Sequence, residues 1–504
     1  MINLSIPGSH LALLPVIIPL TGAMVALLFY GRTKVQGFWA LGTMLTSLAA
    51  SLVLLWTVQN GDGAVVFRSG GWTAPFGIVL VGDPLSTLFV VMSQLVIAMG
   101  ILYANGSKDS VVSYPFFYPL FLTLAVGLTG AFLTGDLFNL FVFTELLVIS
   151  GAALTASSDD RYGTEAAYKY FYISLMAATF LLLAVGSLYV SYGTLNLADL
   201  ANRIASQSPG LLLLPGIAFM LASFMLKSAI VPFHFWQPDF HAAAPTAVSA
   251  MLSSVVVKLG VYGFLRMTSL LFVAQAPQIR TILLILGIVG IVFGGLSAIG
   301  TQNVKRMLAY STLAQIGFIL VGIGWGTPLA IAAALVFTFN HSLVKSAMLM
   351  LAGYVASRAP VKSAAFDVVT GVGKTLPLGG VLFFLGSLGL AGIPPTNGFI
   401  SKALLFNSGI QSEHYLSLAL IGLASILTLI YTMRAFQRIW WVVPEGGGKA
   451  KPGGDLLIAP GILIALVLIF GIWADPLVSF ATEVSAWLAD PSLYIQAMGL
   501  LPGG

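Results

Sequence analysis

Six ionisable side chains stand inside stretches of sequence that are otherwise apolar: Glu145, Lys227, Lys258, His341, Lys345 and Lys402. Glu145 sits in Leu-Phe-Val-Phe-Thr-Glu-Leu-Leu-Val-Ile, and Lys258 in Met-Leu-Ser-Ser-Val-Val-Val-Lys-Leu-Gly-Val-Tyr-Gly. A charge at the centre of a bilayer costs about 2.5–3.5 kcal/mol on insertion scales. Burial disfavours the charged form of such a group, so an amine or carboxyl held there can release and regain a proton during a working cycle. That is the chemistry of a proton relay. Plainer readings stand beside it: Lys402, next to a Pro/Gly-rich break, can snorkel to the headgroups, and Glu145 with a lysine can be a static pair pinning two helices. His341 on its own can be hydrogen-bonded packing. Glu145 is too short to snorkel, and His341 and Lys345, four residues apart, share one helical face. Neutral imidazole passes protons, which favours the relay.

The elements that must position these residues follow from composition. Of 504 residues, 58% are apolar and 8% charged, where soluble chains carry about 25% charged residues; mean hydropathy is +0.99. Most of the outer surface must face lipid, which excludes a soluble enzyme, a nucleic-acid binder and a disordered chain. The net charge of +5 comes from scattered bases, not from a stripe that would bind nucleic acid. The chain has no cysteine, so thiolate metal sites, Fe–S ligation and thiol nucleophiles are excluded. The first charge is Arg32, which reads against a secretory leader with its basic n-region.

A span needs about 20 apolar residues, and punctuation by charge, Gly, Pro, Asn and Asp yields fourteen: roughly 11–31, 36–58, 78–104, 115–134, 137–156, 165–192, 211–240, 244–271, 279–299, 307–325, 329–355, 374–409, 416–441 and 456–473. They must be helices, because backbone polar groups in lipid have to be satisfied within the segment. The expected fold is an all-α polytopic membrane protein. Loops after odd spans hold 14 bases, Arg32, Lys34, Lys108, Arg161, Lys169, Lys305, Arg306, Arg358, Lys362, Lys374, Arg434, Arg438, Lys449 and Lys451, against 4 after even spans, Arg68, Arg203, Arg266 and Arg280. The positive-inside rule then puts odd loops in the cytoplasm and both termini outside.

Two spans are interrupted beside a buried lysine. After Lys227 comes Ser-Ala-Ile-Val-Pro232-Phe-His234-Phe-Trp-Gln-Pro238-Asp239-Phe-His241. Lys227, His234 and His241 would share one helical face, but Pro232 and Pro238 remove backbone donors and disrupt it. The second break is Gly392-Ile-Pro394-Pro395-Thr-Asn-Gly398-Phe-Ile-Ser-Lys402. Paired discontinuous helices at mid-depth point to an ion path. The histidines show no paired ligand spacing with carboxylates, so no metal or haem site is expected. No nucleotide motif sits between a strand and a helix, and no cofactor is expected.

These residues fall in motifs that resemble a known family. Lys227-Ser-Ala-x-x-Pro-x-His-x-Trp-x-Pro-Asp-x-His241, Ala-Pro245-Thr-x-Val-Ser-Ala250, Lys258-Leu-Gly-Val-Tyr, Val-Lys305-Arg306-Met-Leu-Ala-Tyr-Ser311-Thr-Leu-Ala-Gln315-Ile-Gly317, His341-Ser-x-x-Lys345 and Gly392-Ile-Pro-Pro-x-x-Gly-Phe-x-x-Lys402 occur in order along most of the chain. Together they resemble the antiporter-like subunits of Mrp-type multisubunit Na⁺/H⁺ antiporters, of complex I and of membrane-bound hydrogenases. The resemblance implies fourteen helices, with two inverted five-helix repeats over spans 4–8 (residues 111–271) and 9–13 (279–443). Helices 1–3 (1–110) would precede them, and span 14 with a tail (444–504) would follow; spans 7 and 12 are the broken ones. It implies a proton path through Glu145, Lys227, Lys258, His341, Lys345 and Lys402, supported by His234, His241 and the four prolines of the breaks. Gln237 and Phe240 depart from the usual Leu and Ala, and Asn303 from the usual acid, which leaves Lys305 and Arg306 without a local counter-charge.

The short stretch after Ala474 has no room for the long lateral helix of the L-type complex I subunit, and the M-type carries glutamate at the position of Lys402. The wording is most similar to the Mrp branch. The expected function is a proton-translocating, non-enzymatic subunit of a cation/H⁺ antiporter in the cell membrane, assembled with other membrane subunits. With Glu145 read as the membrane-embedded carboxylate and Asp136 at a span boundary, one or two carboxylates make a poor sodium site, and sodium is expected to cross at a partner or an interface. The alternatives are a proton-pumping subunit of a redox complex and a purely structural membrane subunit.

Overall fold

The computed structural model describes residues 8–158, 161–361, 363–442, 451 and 453–500; Lys362 and Lys449 of the charge tally lie outside them. In chain order the helices are α1 (Leu14–Leu28), α2 (Thr33–Asn60), α3 (Pro84–Asn105), α4 (Phe117–Leu133), α5 (Leu137–Ala156), α6 (Arg161–Tyr192), α7 (Leu197–Ser206), α8 (Leu213–Lys227), α9 (Trp236–Ala243) and α10 (Thr246–Met251). They continue with α11 (Lys258–Arg266), α12 (Ala276–Gly300), α13 (Val304–Trp325), α14 (Pro328–Ala356), α15 (Pro377–Ala391), α16 (Asn397–Gln411), α17 (Tyr415–Phe436), α18 (Ile458–Ile472), α19 (Asp475–Ala489) and α20 (Pro491–Ala497). The molecule is thus a mostly helical, multi-pass membrane protein. Among the described residues nine helical segments are long and apolar enough to cross a membrane, and α18 with α19, bent by 76°, make a tenth. The shorter apolar helices α1, α4, α8 and α15 add to these; α8 and α15 are the first halves of the two interrupted segments.

Burial separates an inner layer from an outer one. In the most apolar window of each segment, 100% of Thr246–Leu271, 94% of α14, and 89% of α3 and α13 are buried, against 28–39% for α2, α12 and α17. The inner four carry Lys258, His341 and Lys345, so the unusual side chains sit where lipid cannot reach.

Three features lie outside the span-by-span reading. Residues Val65–Arg68 (β1) and Val79–Gly82 (β2) pair antiparallel, Val65 opposite Gly82, because Val-Val-Phe-Arg and Val-Leu-Val-Gly are short β-prone runs. Helix α7 is amphipathic and opens on Asn196, whose side chain accepts from the Ala198 and Asp199 N–H groups. The stretch after Ala474 is not a loose tail: α19 turns back from α18 and α20 follows it.

Helix α19 docks through Trp487 on an ion pair that span-by-span reading overlooks. Asp83 caps α3 through a capping box with Ser86, and Arg266 donates from Nη1 and Nη2 to its two carboxylate oxygens at 2.7 Å each. Arg266 Nε donates to the Tyr262 hydroxyl at 3.0 Å, that hydroxyl donates to the Phe132 carbonyl at 2.7 Å, and Trp487 of α19 donates to Asp83 at 3.2 Å. Breaking a buried pair on one side costs about 3–5 kcal/mol, because the surviving charge is left without compensation. Arg266→Met therefore lowers the thermal stability of the purified protein by about that amount, and adding Asp83→Asn, which retains the cap acceptor, restores most of it. Equal melting temperatures for the wild type and the single variant contradict this assignment.

Candidate functional site

The first interruption is built by Pro232. Helix α8 stops at Lys227, residues 228–235 form turns, and α9 resumes at Trp236. Pro238 does not break anything: it is the third residue of α9, where a helical N–H lacks an intrahelical partner in any case. Lys227, His234 and His241 therefore share no common helical face. His234 packs edge-on against Phe293, ring centroids 4.7 Å apart, and no hydrogen bond joins its side chain to the other candidates among the described residues. Gly260 lets α11 close on the end of α8: a β-carbon there would meet Ser228 Oγ at 1.9 Å and the Phe224 carbonyl oxygen at 2.5 Å.

Lys227 is 9% exposed and its Nζ has no hydrogen-bond partner; Glu145 Oε1 on α5 is likewise buried and unpartnered. The two feel each other electrostatically without forming an ion pair within 4.0 Å among the described residues. Asp136, the boundary carboxylate, caps α5 by accepting from the Asn139 N–H at 2.8 Å; burial raises its carboxyl above the usual range despite that bond.

Deeper in, contacts become direct. Lys258 Nζ lies 2.7 Å from His341 Nδ1, both groups being at most 3% exposed. Such a contact needs an acceptor lone pair, so the pair cannot carry a proton on the amine's lone pair and on Nδ1 together. Lys345, one turn along α14, donates to the Leu308 carbonyl at 2.9 Å and to Ser311 Oγ at 2.8 Å, and Tyr431 donates to the same hydroxyl at 2.9 Å. His341 is within electrostatic reach of both lysines. His241 hydrogen-bonds Ser249 Oγ through Nδ1 at 3.1 Å, its Nε2 is unpartnered, and it lies within the fields of Lys345 and Lys305.

The second interruption covers residues 392–396 and holds both Pro394 and Pro395. Lys402, on α16, reaches back to donate to the Ala391 carbonyl at the end of α15, 2.9 Å away, with its amine 4.9 Å from the Phe318 ring centroid. It is 6% exposed, so it does not snorkel.

A cavity of about 680 Å³ opens beside this row, lined among others by Lys108, Lys169, Lys305, Arg306 and Lys451, together with Asp239. These five bases all belong to the odd-loop group. Here the structure corrects one expectation. Arg306 does have a counter-charge, Asp239 at 3.0 Å, which also takes Lys169 at 3.2 Å. Asn303, in place of an acid, caps α13 by accepting from the Lys305 and Arg306 N–H groups. The partner is distant in sequence, so no local motif could reveal it. Ser311 and Tyr431, which hold Lys345, escape a sequence reading because neutral hydroxyls in apolar helices carry no distinguishing spacing.

Residues 134–428 match the NADH:quinone oxidoreductase/Mrp antiporter transmembrane family. The chain is 32% identical to the D subunit of the Na⁺/H⁺ antiporter of Alkalihalophilus pseudofirmus over 97% of its own length and 99% of that protein's. It superposes on a chain of the Mrp complex from Dietzia sp. DQ12-45-1b with a TM-score of 0.88 at 26% identity, covering 98% and 99% of the two chains. A chain of the membrane-bound sulfane sulfur reductase, an archaeal respiratory membrane complex, gives a TM-score of 0.87 at 27% identity, covering 97% and 100%.

The α8–α11 closure carries a stability prediction. Gly260→Ala forces a β-carbon against the Phe224 backbone and costs about 1–3 kcal/mol by overpacking. Gly42→Ala, at a position with nothing within 4 Å, serves as the neutral control. Thermal unfolding of the two purified variants decides; equal melting temperatures contradict the close approach.

Proposed function

The chain belongs to the NADH:quinone oxidoreductase/Mrp antiporter family of membrane subunits, and from that premise we propose that it is the proton-translocating, D-type member of a multisubunit cation/H⁺ antiporter. The observation that carries the reading is the 2.7 Å contact between Lys258 Nζ and His341 Nδ1 in the buried inner layer. A structural fastener has no need of two basic groups sharing a hydrogen bond in an apolar core, whereas a relay does.

In this reading the cavity of about 680 Å³ is the aqueous mouth on the cytoplasmic side. Protons pass His241 and Lys345 to reach the Lys258–His341 pair and go on to Lys402. Glu145 and Lys227 act as an electrostatic gate: when the carboxylate is compensated elsewhere, Lys227 loses its stabiliser and gives up its proton to the row. A gap between the two, rather than a tight pair, keeps their coupling sensitive to small movements, since Coulomb energies in a low-dielectric interior are large at short range. The fourteen-span topology, with inverted repeats over spans 4–8 and 9–13 and both termini outside, belongs to the same proposal. The side on which the bases gather supports it.

Sodium is assigned to a partner or an interface. The second embedded carboxylate, Asp83, is fully engaged by Arg266, Ser86 and Trp487, so it adds no free oxygen to a cation site. A second reading, a proton pump in a redox-driven complex, is favoured by the likeness to the sulfane sulfur reductase chain; the chemistry within this chain is the same and only the partners differ.

The test uses the assembled complex in proteoliposomes. Glu145→Gln and Lys227→Ala each cut cation-driven proton flux per complex by roughly 10²-fold or more, the scale of a lost acid–base group, with assembly intact. Undiminished flux in either variant overturns the relay in favour of a structural role.

A further inference from the structure

Between His341 and Lys402 the row has no direct contact. The Lys402 amine is turned to the Ala391 carbonyl, and His341 Nε2 is buried without a hydrogen-bond partner. Both residues line a small cavity of about 10 Å³, together with Gln315, Asn340 and Ser401. A volume of about 10–15 Å³ on this measure is what one water needs, provided polar partners surround it. Polar partners are present here.

Asn340 and Ser401, on one wall of this cavity, are bonded to Asn397 in a set of neutral polar groups whose cost needs a reason. Asn397 Nδ2 on α16 donates to Asn340 Oδ1 on α14 at 3.1 Å. Asn340 Nδ2 donates to the Asn397 carbonyl at 3.1 Å and to Ser401 Oγ at 2.9 Å, while Ser401 Oγ donates to the Asn397 carbonyl at 3.1 Å. All three residues are at most 2% exposed. Burying amides inside apolar helices costs free energy that leucines would not incur, and neither asparagine can carry a proton. Their placement supplies the reason: Asn340 precedes His341 in α14, and Asn397 and Ser401 open the half-helix that carries Lys402. The bonds therefore fix the distance between His341 and Lys402, which no direct contact sets.

We propose that Asn340, Asn397 and Ser401 form a positioning clamp that holds His341 and Lys402 one water apart. The inference rests on the relay reading above. In the transfer, His341 Nδ1 accepts a proton from Lys258 and Nε2–H gives its proton to the water. The water passes one of its own to the unprotonated Lys402 amine. The imidazole ends neutral with the proton on Nδ1, the water is regenerated, and one positive charge has moved from Lys258 to Lys402. A clamp widened by an ångström breaks the chain at the water.

The experiment measures cation-driven proton flux per assembled complex in proteoliposomes, in H₂O and in D₂O, for Asn340→Ala, Asn397→Ala and Lys402→Met. The clamp predicts a flux loss of roughly tenfold or more in the asparagine variants, as expected when a reacting group is misplaced by about 1 Å. It also predicts a larger solvent isotope effect than in the wild type, because the water-bridged hop has become rate-limiting. A merely structural role reduces the yield of complex and leaves both per-complex readouts unchanged; that result overturns the clamp. Lys402→Met separates the two levels: dead transport with wild-type asparagine variants refutes the clamp alone, whereas wild-type transport in Lys402→Met refutes the relay itself. If the amide variants fail to assemble, Ser401→Ala, which removes a single hydroxyl, is read by the same two criteria.

Discussion

The structure is organised around basic groups that sit in an apolar interior with almost no anion beside them. Four lysines and two histidines of the row are buried, and among the described residues no carboxylate lies within 4.0 Å of their nitrogens; Glu145, whose field reaches Lys227, makes no contact with it. What holds the amines is backbone and neutral polar groups. Lys402 donates to the last carbonyl of α15, Lys345 to the Leu308 carbonyl and Ser311, and Lys258 to an imidazole. Carbonyl ends of helices carry partial negative charge that favours a cation without fixing it there. A tight carboxylate would bind the proton's charge too well to let it move on.

The helix breaks and unusual turns follow from that requirement. Lys345 shares the Leu308 carbonyl of the uninterrupted α13, but a span that is to leave carbonyls free of helical partners at mid-depth has to be interrupted. Pro232 and the Pro394–Pro395 pair do this, each next to a lysine. The Thr246–Leu271 segment uses a milder device, a π-turn over Leu252–Val256 directly before Lys258 and another over Met267–Leu271 after Arg266. Such turns free carbonyls and are frequent at functional sites; here the Ser254 carbonyl accepts from Ser342 Oγ at 2.9 Å, tying the segment to α14 beside His341. Beyond the row, the Asp83–Arg266 pair shows the opposite logic: a bidentate, fully satisfied ion pair that fastens α3, α11 and α19 and has no freedom to exchange.

Much of this is legible in the sequence because lipid imposes strong rules. Charges in apolar runs stand out, so Glu145, Lys227, Lys258, Lys345 and Lys402 can be picked without coordinates, and His341 by its four-residue spacing from Lys345. The apolar runs fall on helices, and the two breaks fall where the prolines cluster. The rest is hidden for definable reasons. Pro238 reads as a breaker because its place within the first turn of α9 depends on where the helix restarts. Asp239 as the partner of Arg306 joins residues 67 positions apart, with no periodicity to link them. Asp83 lies at the edge of a span, where an acid passes for a loop residue until the bidentate arginine is seen. The asparagines of the clamp are ordinary in composition and become meaningful only beside the cavity that Asn340 lines. The β1–β2 pairing is missed because its strands are only four residues each and β2 falls within the span read as 78–104, and helix α7 is too short and polar to register as a span.

The most direct measurement of the central claim is cation-driven proton flux through the purified, assembled complex carrying Lys258→Met, a substitution of similar length that removes the ionisable group. The account predicts that flux per complex falls to background while the subunits remain together. Flux at the wild-type level from an intact complex would contradict it, since protons would then be crossing this protein by a route that does not pass the lysine–histidine pair.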